Sequence, residues 1–242
     1  MKAHILAAAL LAATTTTAVA ATSSQTVAID GNVTLGQTTF GEFDLSGVQS
    51  VEGRDFDFGA AGARNVWHAG GASFAPDSST KIHSQAIGVF GVDKVFALMA
   101  TWWGERAAGT FASVTFDGTN GATFTKALDG GYDIRDYNYN PAFTNATPAP
   151  TTTKGLDDAG KSPQVVPGNQ RVDMLEFDLP DVFKSETLTS ITFTDMGATG
   201  FQRTFVAGLS LDVAPVPVPA SAPLLLAGLG ALGLLRRRRK AA

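Results

Sequence analysis

The chain has 242 residues, 18 of them basic and 22 acidic, and no cysteine. An acidic balance excludes the basic footprint that nucleic acid requires, and the lack of thiols excludes disulfide staples, thiol catalysis and cysteine-ligated zinc. Lys2 near the start and Arg236, Arg237, Arg238, Arg239 and Lys240 near the end leave 12 basic against 22 acidic side chains between them, a net −10 that suits a soluble extracellular protein.

The chain begins with Lys2 and His4 as a short positive region, followed by an apolar run over residues 5–13. Thr14 to Thr17 is β-branched and does not prolong a helix. Ala18-Val19-Ala20 then offers a small-x-small site, so a signal peptide is expected over residues 1–20, cut after Ala20 by signal peptidase. A cargo domain is expected over residues 21–214. At about 194 residues it is long enough to bury about 70% of its unfolded surface in a single core.

Within the cargo, helical periodicity is scarce, and short runs of alternating apolar residues stand between Gly, Asn and Asp turns. Strands are expected at Val33 to Phe40 and at Arg54 to Phe58, the latter with Phe56 and Phe58 inward. Lys94 to Trp103 holds VFALMATWW, too apolar for a half-exposed strand, and is expected to be buried on both faces. Ser113 to Phe116 and Thr123 to Leu128 flank Asp117-Gly118-Thr119-Asn120-Gly121 and predict a hairpin. Residues 144–170 are Pro- and Thr-rich and read as one long loop, either binding or mobile. Leu175, Phe177 and Leu179 then share a face, and Ile191 and Phe193 point inward in the next strand. In the last strand Phe205, Ala207, Leu209, Leu211 and Val213 are expected on one face. Eight to ten such strands around one core predict an all-β antiparallel sandwich, most economically a jelly roll.

Residues 215–242 have a different design. Val216, Pro217, Pro219, Ala220 and Ser221 form a Pro-spaced stalk, Leu224 to Leu235 is uninterrupted Leu, Ala and Gly, and Arg236, Arg237, Arg238 and Arg239 close it. About 12 apolar residues make roughly 18 Å of helix, short of the roughly 30 Å hydrocarbon core. The Arg cluster would stay on the cytoplasmic side. Stalk, marginal span and stop-transfer charges together describe a sorting signal.

VPVPASAPLLLAGLGALGLLRRRR resembles the VPLPA variant of the PEP-CTERM sorting domain of Gram-negative bacteria, with Val218 where that variant usually has Leu. The resemblance implies an inner-membrane precursor, cleavage near the Pro-rich motif by an exosortase, and export to the cell surface or the extracellular polysaccharide matrix. Another likeness lies in the cargo. TWWG from Thr101, SVTFDGTNGATFTKALDGGYDIRDYN from Ser113, and the closing TSITFTD and FVAGLSL resemble galactose-binding-like jelly rolls described as carbohydrate-binding. That resemblance implies a β-sandwich with carbohydrate as the ligand class.

The chemistry available is sparse. His68 and His83 are the cargo's histidines and are expected on loops or at the surface. No nucleophile elbow, H-E-x-x-H or phosphate-binding loop is present, so no catalytic residue is assigned and the protein is expected not to be an enzyme, a two-carboxylate glycosidase being the less favoured alternative. No cofactor is expected. Loop carboxylates could hold a structural Ca²⁺, but without a D-x-D-x-D-G loop no metal ligand is named.

The richest cluster is Tyr132 to Asn140, which contains all three tyrosines. On an extended chain Tyr137 and Tyr139 share one face while Asn138 and Asn140 share the other. Aromatic faces suit the C–H side of a pyranose, and Arg135, Asp136 and Asn138 suit its hydroxyls. The same residues could equally form a strand end, with Ile134 in the core, Arg135 in a surface pair with Asp136 or Asp133, and tyrosines covering a sandwich edge. Trp102 and Trp103 point to opposite faces, one into the core and the other under a loop or out as a platform. Trp67 is either a core anchor or a ligand contact. The cargo is therefore expected to bind or embed in exopolysaccharide, or else to be a structural surface protein with no specific ligand.

Overall fold

The computed structural model of the chain describes residues 22–39, 43, 45–71, 81–102, 109–130, 133–137, 154–157, 171–197 and 202–215. Wherever apolar and polar residues alternate, the backbone is extended and paired. Among the described residues the strands are β1 (Ser23–Val27), β2 (Val48–Val51), β3 (Arg54–Asp57), β4 (Trp67–His68), β5 (Lys81–Phe90) and β6 (Val92–Trp102). They continue with β7 (Thr110–Gly118), β8 (Thr123–Asp129), β9 (Lys154–Asp157), β10 (Arg171–Asp178), β11 (Thr187–Asp195) and β12 (Arg203–Val213). One sheet has the order β1-β12-β6-β10-β9, with β4 also on β12; a second has the order β5-β11-β7-β8; β2 and β3 form a hairpin of their own. All of these pairings are antiparallel, so the all-β sandwich expected from the sequence is the observed class.

The core between the sheets is built from Val95, Ala97 and Met99 of β6, Leu175 and Phe177 of β10, and Leu209 and Leu211 of β12. Against them lie Val114 and Phe116 of β7 and Ile191 and Phe193 of β11. Phe116 and Phe177 meet across the gap with ring centroids 5.4 Å apart. The expected inward residues Leu175, Phe177, Leu179, Ile191 and Phe193 all belong to this core. The β7–β8 hairpin forms as expected, turning through Thr119–Gly121, and Phe124 stacks on Phe116 at 5.9 Å.

The other face of the first sheet is covered as well. Phe96, Leu98, Ala100 and Trp102 of β6 and Phe205 and Ala207 of β12 pack with Val33, Leu35, Phe43, Val51, Phe56, Phe58 and Val66 from the N-terminal segment. That third layer explains the unbroken apolar run of β6, which has a core on each side. Phe56 and Phe58 are both fully buried, and each contributes about 2 kcal/mol of transfer free energy. Arg54 fastens the layer at its edge: its Nη1 and Nη2 donate to the two oxygens of Asp212 at 2.6 and 2.8 Å, and its guanidinium carbon sits 3.3 Å above the Phe96 ring. A bidentate, part-buried pair of this kind is stronger than an exposed ion pair.

Three local expectations are corrected. Leu35–Thr38 is one turn of α-helix (α1), where a strand was expected from Val33 to Phe40. Thr34 Oγ1 accepts from Gln37 N, and Gln37 Oε1 accepts from Thr34 N, both at 3.0 Å. This capping box satisfies the first free amides locally and overrides the alternation. Lys154–Asp157, expected within the loop 144–170, is a strand paired with β10; residues 144–153 and 158–170 lie outside the described residues. The last strand does not place five apolar residues on one face. Its register shifts between Val206 and Gly208, so Phe205 and Ala207 enter the outer core while Val206, Leu209 and Leu211 enter the inner one. A bulge adds one residue on the bulged strand and reverses the alternation beyond it.

From β4 to β12 the chain crosses from sheet to sheet at every connection except the β7–β8 hairpin and the β9–β10 pair. The β5-to-β6 crossing is made at Gly91 alone, whose φ of 77° favours glycine. The pairs Arg203↔Trp102, Arg171↔Asp157, Asp195↔Lys81 and Thr110↔Asp129 mark one end of the sandwich. Ser23↔Val213 and Leu188↔Gly118 mark the other, so the unit Thr22–Ala214 begins and ends away from the first.

Candidate functional site: the polar end of the sandwich

The Tyr-rich segment does not form an exposed platform in its described part. Thr101 N donates to Arg135 O at 2.9 Å, Tyr137 N donates to Thr101 O at 2.7 Å, and Arg171 N donates to Tyr137 O at 2.7 Å. The backbone of residues 135–137 is thereby built into the end of the first sheet beside β6. Tyr137 follows it inward and is only 4% exposed, its ring 6.1 Å from Trp102 and 6.2 Å from Phe205. It has no face to offer a pyranose. Arg135 and Asp136 are buried too, and Ile134 is core. The expected surface pairing of Arg135 with Asp133 or Asp136 is replaced by a buried pair with Asp173 on β10. Asn138 and Tyr139 lie outside the described residues, as does Trp103.

Trp67, Trp102, His68 and His83 are structural in the same sense. Trp67 is buried, stacked on His83 at 5.6 Å and 6.4 Å from Phe193, which makes it an anchor of the inner core. Trp102 is buried, and its Nε1 donates to Thr38 O at 3.2 Å. His68, expected at the surface, is fully buried between Phe205 at 6.1 Å and Trp102 at 5.0 Å. Asn32 holds its backbone through both groups: Asn32 Nδ2 donates to His68 O and His68 N donates to Asn32 Oδ1, each at 2.9 Å. Nδ1 accepts from Gly70 N at 3.0 Å, which leaves the proton of the neutral ring on Nε2.

Burial, reinforced by the positive charge of Arg203, pushes His68 down to about 3. Burial also lowers His83, against the opposing pull of Gln85 and Asp30. The unfolded chain therefore binds more protons than the native one below about pH 6.5, so stability is full above that value and falls as the pH drops toward 3. A thermal-midpoint series between pH 7 and 5, above the ordinary carboxylate range, is expected to fall for the native chain and to fall less steeply in His68→Phe, which keeps a ring against Phe205 and leaves the smaller contribution of His83. Equal slopes for the two proteins would show that His68 is not the group responsible.

The same end of the sandwich collects more charge than Arg135 and Asp136: Arg171, Asp173, Asp195 and Arg203 are buried there as well. Arg135 grips Asp173 with a side-on fork, Nε donating to Oδ2 at 2.6 Å and Nη2 to Oδ1, and both residues are buried. Arg171, at the first position of β10, donates from Nε to Asp136 O at 2.9 Å. Asp195, at the end of β11, accepts from Gly197 N at 2.9 Å, Thr204 N at 2.6 Å and Gln202 Nε2 at 3.0 Å, tying the β11–β12 connection together. Arg203 is 1% exposed, and its Nη1 donates to Gln202 O. Its Nε and Nη2 meet no hydrogen-bond partner among the described residues, nor does Gln202 Oε1. Arg203 was legible in one respect: period two places it on the Phe205 side of β12, a charge heading an otherwise apolar face. Among the described residues no cluster of His, Asp and Glu is placed to hold a metal ion.

The remaining sequence-level site residues belong to the chain ends. Ala18 and Ala20, and Val216, Pro217, Pro219, Ala220, Ser221 and Arg236, Arg237, Arg238 and Arg239, lie outside the described residues. Among the described residues no helix is long and apolar enough to cross a membrane. The tail is identified by its sequence instead.

Residues 215–240 match the PEP-CTERM protein-sorting motif.

The PEP-CTERM motif implies an exosortase as partner, and export to the cell envelope or surface through a membrane-anchored precursor. The match covers the tail and not the sandwich. Comparison with curated proteins and with solved structures found no match.

Proposed function

We propose that this is an exosortase-sorted, non-catalytic surface protein whose sandwich is a jelly roll that binds or embeds in exopolysaccharide through its polar end. The jelly-roll reading is supported by strand order. β4, β12, β6 and β10 on one sheet and β5, β11, β7 and β8 on the other interleave in the chain as two Greek keys of four strands do. The galactose-binding-like resemblance of TWWG and the β7–β8 hairpin agrees with that order. The non-catalytic reading is supported by His68 and His83, both pushed below the ordinary histidine range and packed on aromatic rings, a poor setting for a general base.

Sorting is proposed to follow the VPLPA variant, Val218 replacing its usual Leu. Signal peptidase would cut after Ala20, residues 224–235 would hold the precursor in the inner membrane, and the exosortase would cut near the Pro-rich stalk. Neutral residues in place of Arg236, Arg237, Arg238 and Arg239 should then shift the precursor from the membrane to the soluble fraction, because a short apolar run depends on its charged flank. An unchanged membrane-bound precursor in cell fractionation would count against that sorting route.

The observation that carries the binding reading is the buried polar end itself. Arg135, Arg171, Asp173, Asp195, Gln202 and Arg203 cluster where connections between strands meet, the usual address of function on a rigid scaffold. Co-sedimentation of the full chain with insoluble extracellular polysaccharide tests it. Absence of co-sedimentation across acidic and neutral polymers would leave a structural surface protein without a specific ligand.

A further inference from the structure

We propose that Arg203 is a carboxylate-recognising residue, and that the ligand class of the polar end is an acidic saccharide bearing a uronate group. This rests on the polysaccharide reading above and narrows it.

The inference starts from the geometry of a guanidinium. Nε–H and Nη2–H point the same way and form a two-pronged edge that matches the two oxygens of a carboxylate. This protein uses that edge once already: Arg135 places Nε and Nη2 on the two oxygens of Asp173. Arg203 presents the same two atoms, buried and without an acceptor among the described residues, while its Nη1 is engaged by Gln202 O. A guanidinium taken out of water with one donor group of three engaged is costly, and burial without a counter-charge is retained against that cost only where something offsets it.

Two carboxylates at this end, Asp173 and Asp195, are engaged elsewhere. Asp173 is committed to Arg135, and Asp195 accepts from Gly197, Gln202 and Thr204. Burial first, and then the positive charge of Arg203, lowers the proton affinity of His68, so the guanidinium lies close enough to act on that ring. Arg203↔Trp102 is the last pair of the β6–β12 ladder, so Arg203 lies at the end of the sheet. Gln202 Oε1, at the same end of the sheet, is also buried and without a donor among the described residues; it is an acceptor of the kind that a saccharide hydroxyl satisfies. A monoanion carrying hydroxyls fits this set of donors and acceptor, whereas a neutral sugar would leave the charge uncompensated.

The net −10 of the cargo sharpens the test. A polyanion is repelled by this surface at long range, so attraction must come from a buried pair, which salt screens much less than it screens the repulsion. Retention on an acidic polymer should rise, not fall, when salt is raised from about 10 mM toward about 150 mM.

The decisive experiment uses the full chain in detergent on immobilised polygalacturonate, on the same polymer with its carboxyls reduced to alcohols, and on the sulfate-bearing polymer carrageenan. The native chain should be held by the first and not by the other two, and Arg203→Met should weaken that retention about tenfold or more. Without ligand, Arg203→Met should melt at the same temperature as the native chain or higher, because an unpaired buried charge is replaced by an apolar stem of similar length. Equal retention on the acidic and reduced polymers would overturn the carboxylate assignment and leave the polysaccharide reading intact. Retention on the sulfated polymer alone would overturn it in favour of a sulfate ester. Retention on none would overturn both readings. A variant that melts lower but binds polygalacturonate as before would make Arg203 merely structural. If the variant fails to fold, the native chain decides alone: sodium glucuronate should raise its thermal midpoint above that in glucose at equal ionic strength, and equal midpoints would overturn the assignment.

Discussion

Tyr137→Ala is expected to cost the sandwich about 3–5 kcal/mol, the usual range for removing a fully packed ring, and to lower the thermal midpoint by roughly 10 °C in a domain of this size. The ring is 4% exposed between Trp102 and Phe205, so its loss opens a cavity beneath the third layer. The cavity cannot close easily, because both backbone groups of Tyr137 are held, one by Thr101 and one by Arg171, at 2.7 Å each. Tyr137→Phe should cost much less, since it keeps the ring. Thermal melts of the two variants separate the packing role from any exposed one. A change below about 0.5 kcal/mol for Tyr137→Ala, the size expected of a surface residue, would restore this tyrosine as a sugar-facing ring.

Asp173→Ala is expected to be as damaging for a different reason. It strands the guanidinium of Arg135, which is buried at 6% exposure and has both prongs of its fork on the Asp173 carboxylate. Breaking one partner of a buried pair costs about 3–5 kcal/mol, whereas replacing both by apolar residues of similar size is often neutral. The double variant Arg135→Met with Asp173→Leu should therefore recover most of what the single variant loses in urea unfolding. If the double variant is no more stable than Asp173→Ala, the loss lies in packing rather than in a stranded charge.

The end of the sandwich was partly visible before the structure. Ile134 belongs to the core, as the strand-end alternative for this segment requires. On pattern alone Tyr137 suits either a sugar platform or an edge cover, and its burial favours the second. What pattern reading lacked was the partner of Arg135. It assigned Asp133 or Asp136, neighbours in sequence, because local spacing is all that a single chain displays. Asp173 lies thirty-eight positions away and becomes adjacent only when β10 docks on β6. The helix turn at Leu35 is legible in Thr34 and Gln37, which stand at capping-box spacing, but the alternation of Val33 to Phe40 competes with that signal.

Some properties were determined by the sequence by itself, because they depend on local order or on period. The PEP-CTERM tail is a linear signal whose stalk, apolar run and Arg cluster are read in one dimension. The all-β class follows from alternation, and the double burial of β6 follows from VFALMATW, which has no polar face to turn outward. The tertiary structure alone decided which residues meet. The bulge at Val206 to Gly208 divides β12 between two cores. Trp67 and His83 stack across the gap between the sheets. Arg203 comes to rest buried at the polar end with two donors unmet among the described residues. Each of these turns on the register of strands far apart in the chain. Register is set by how whole faces pack, because a shift of one residue sends every side chain to the opposite face.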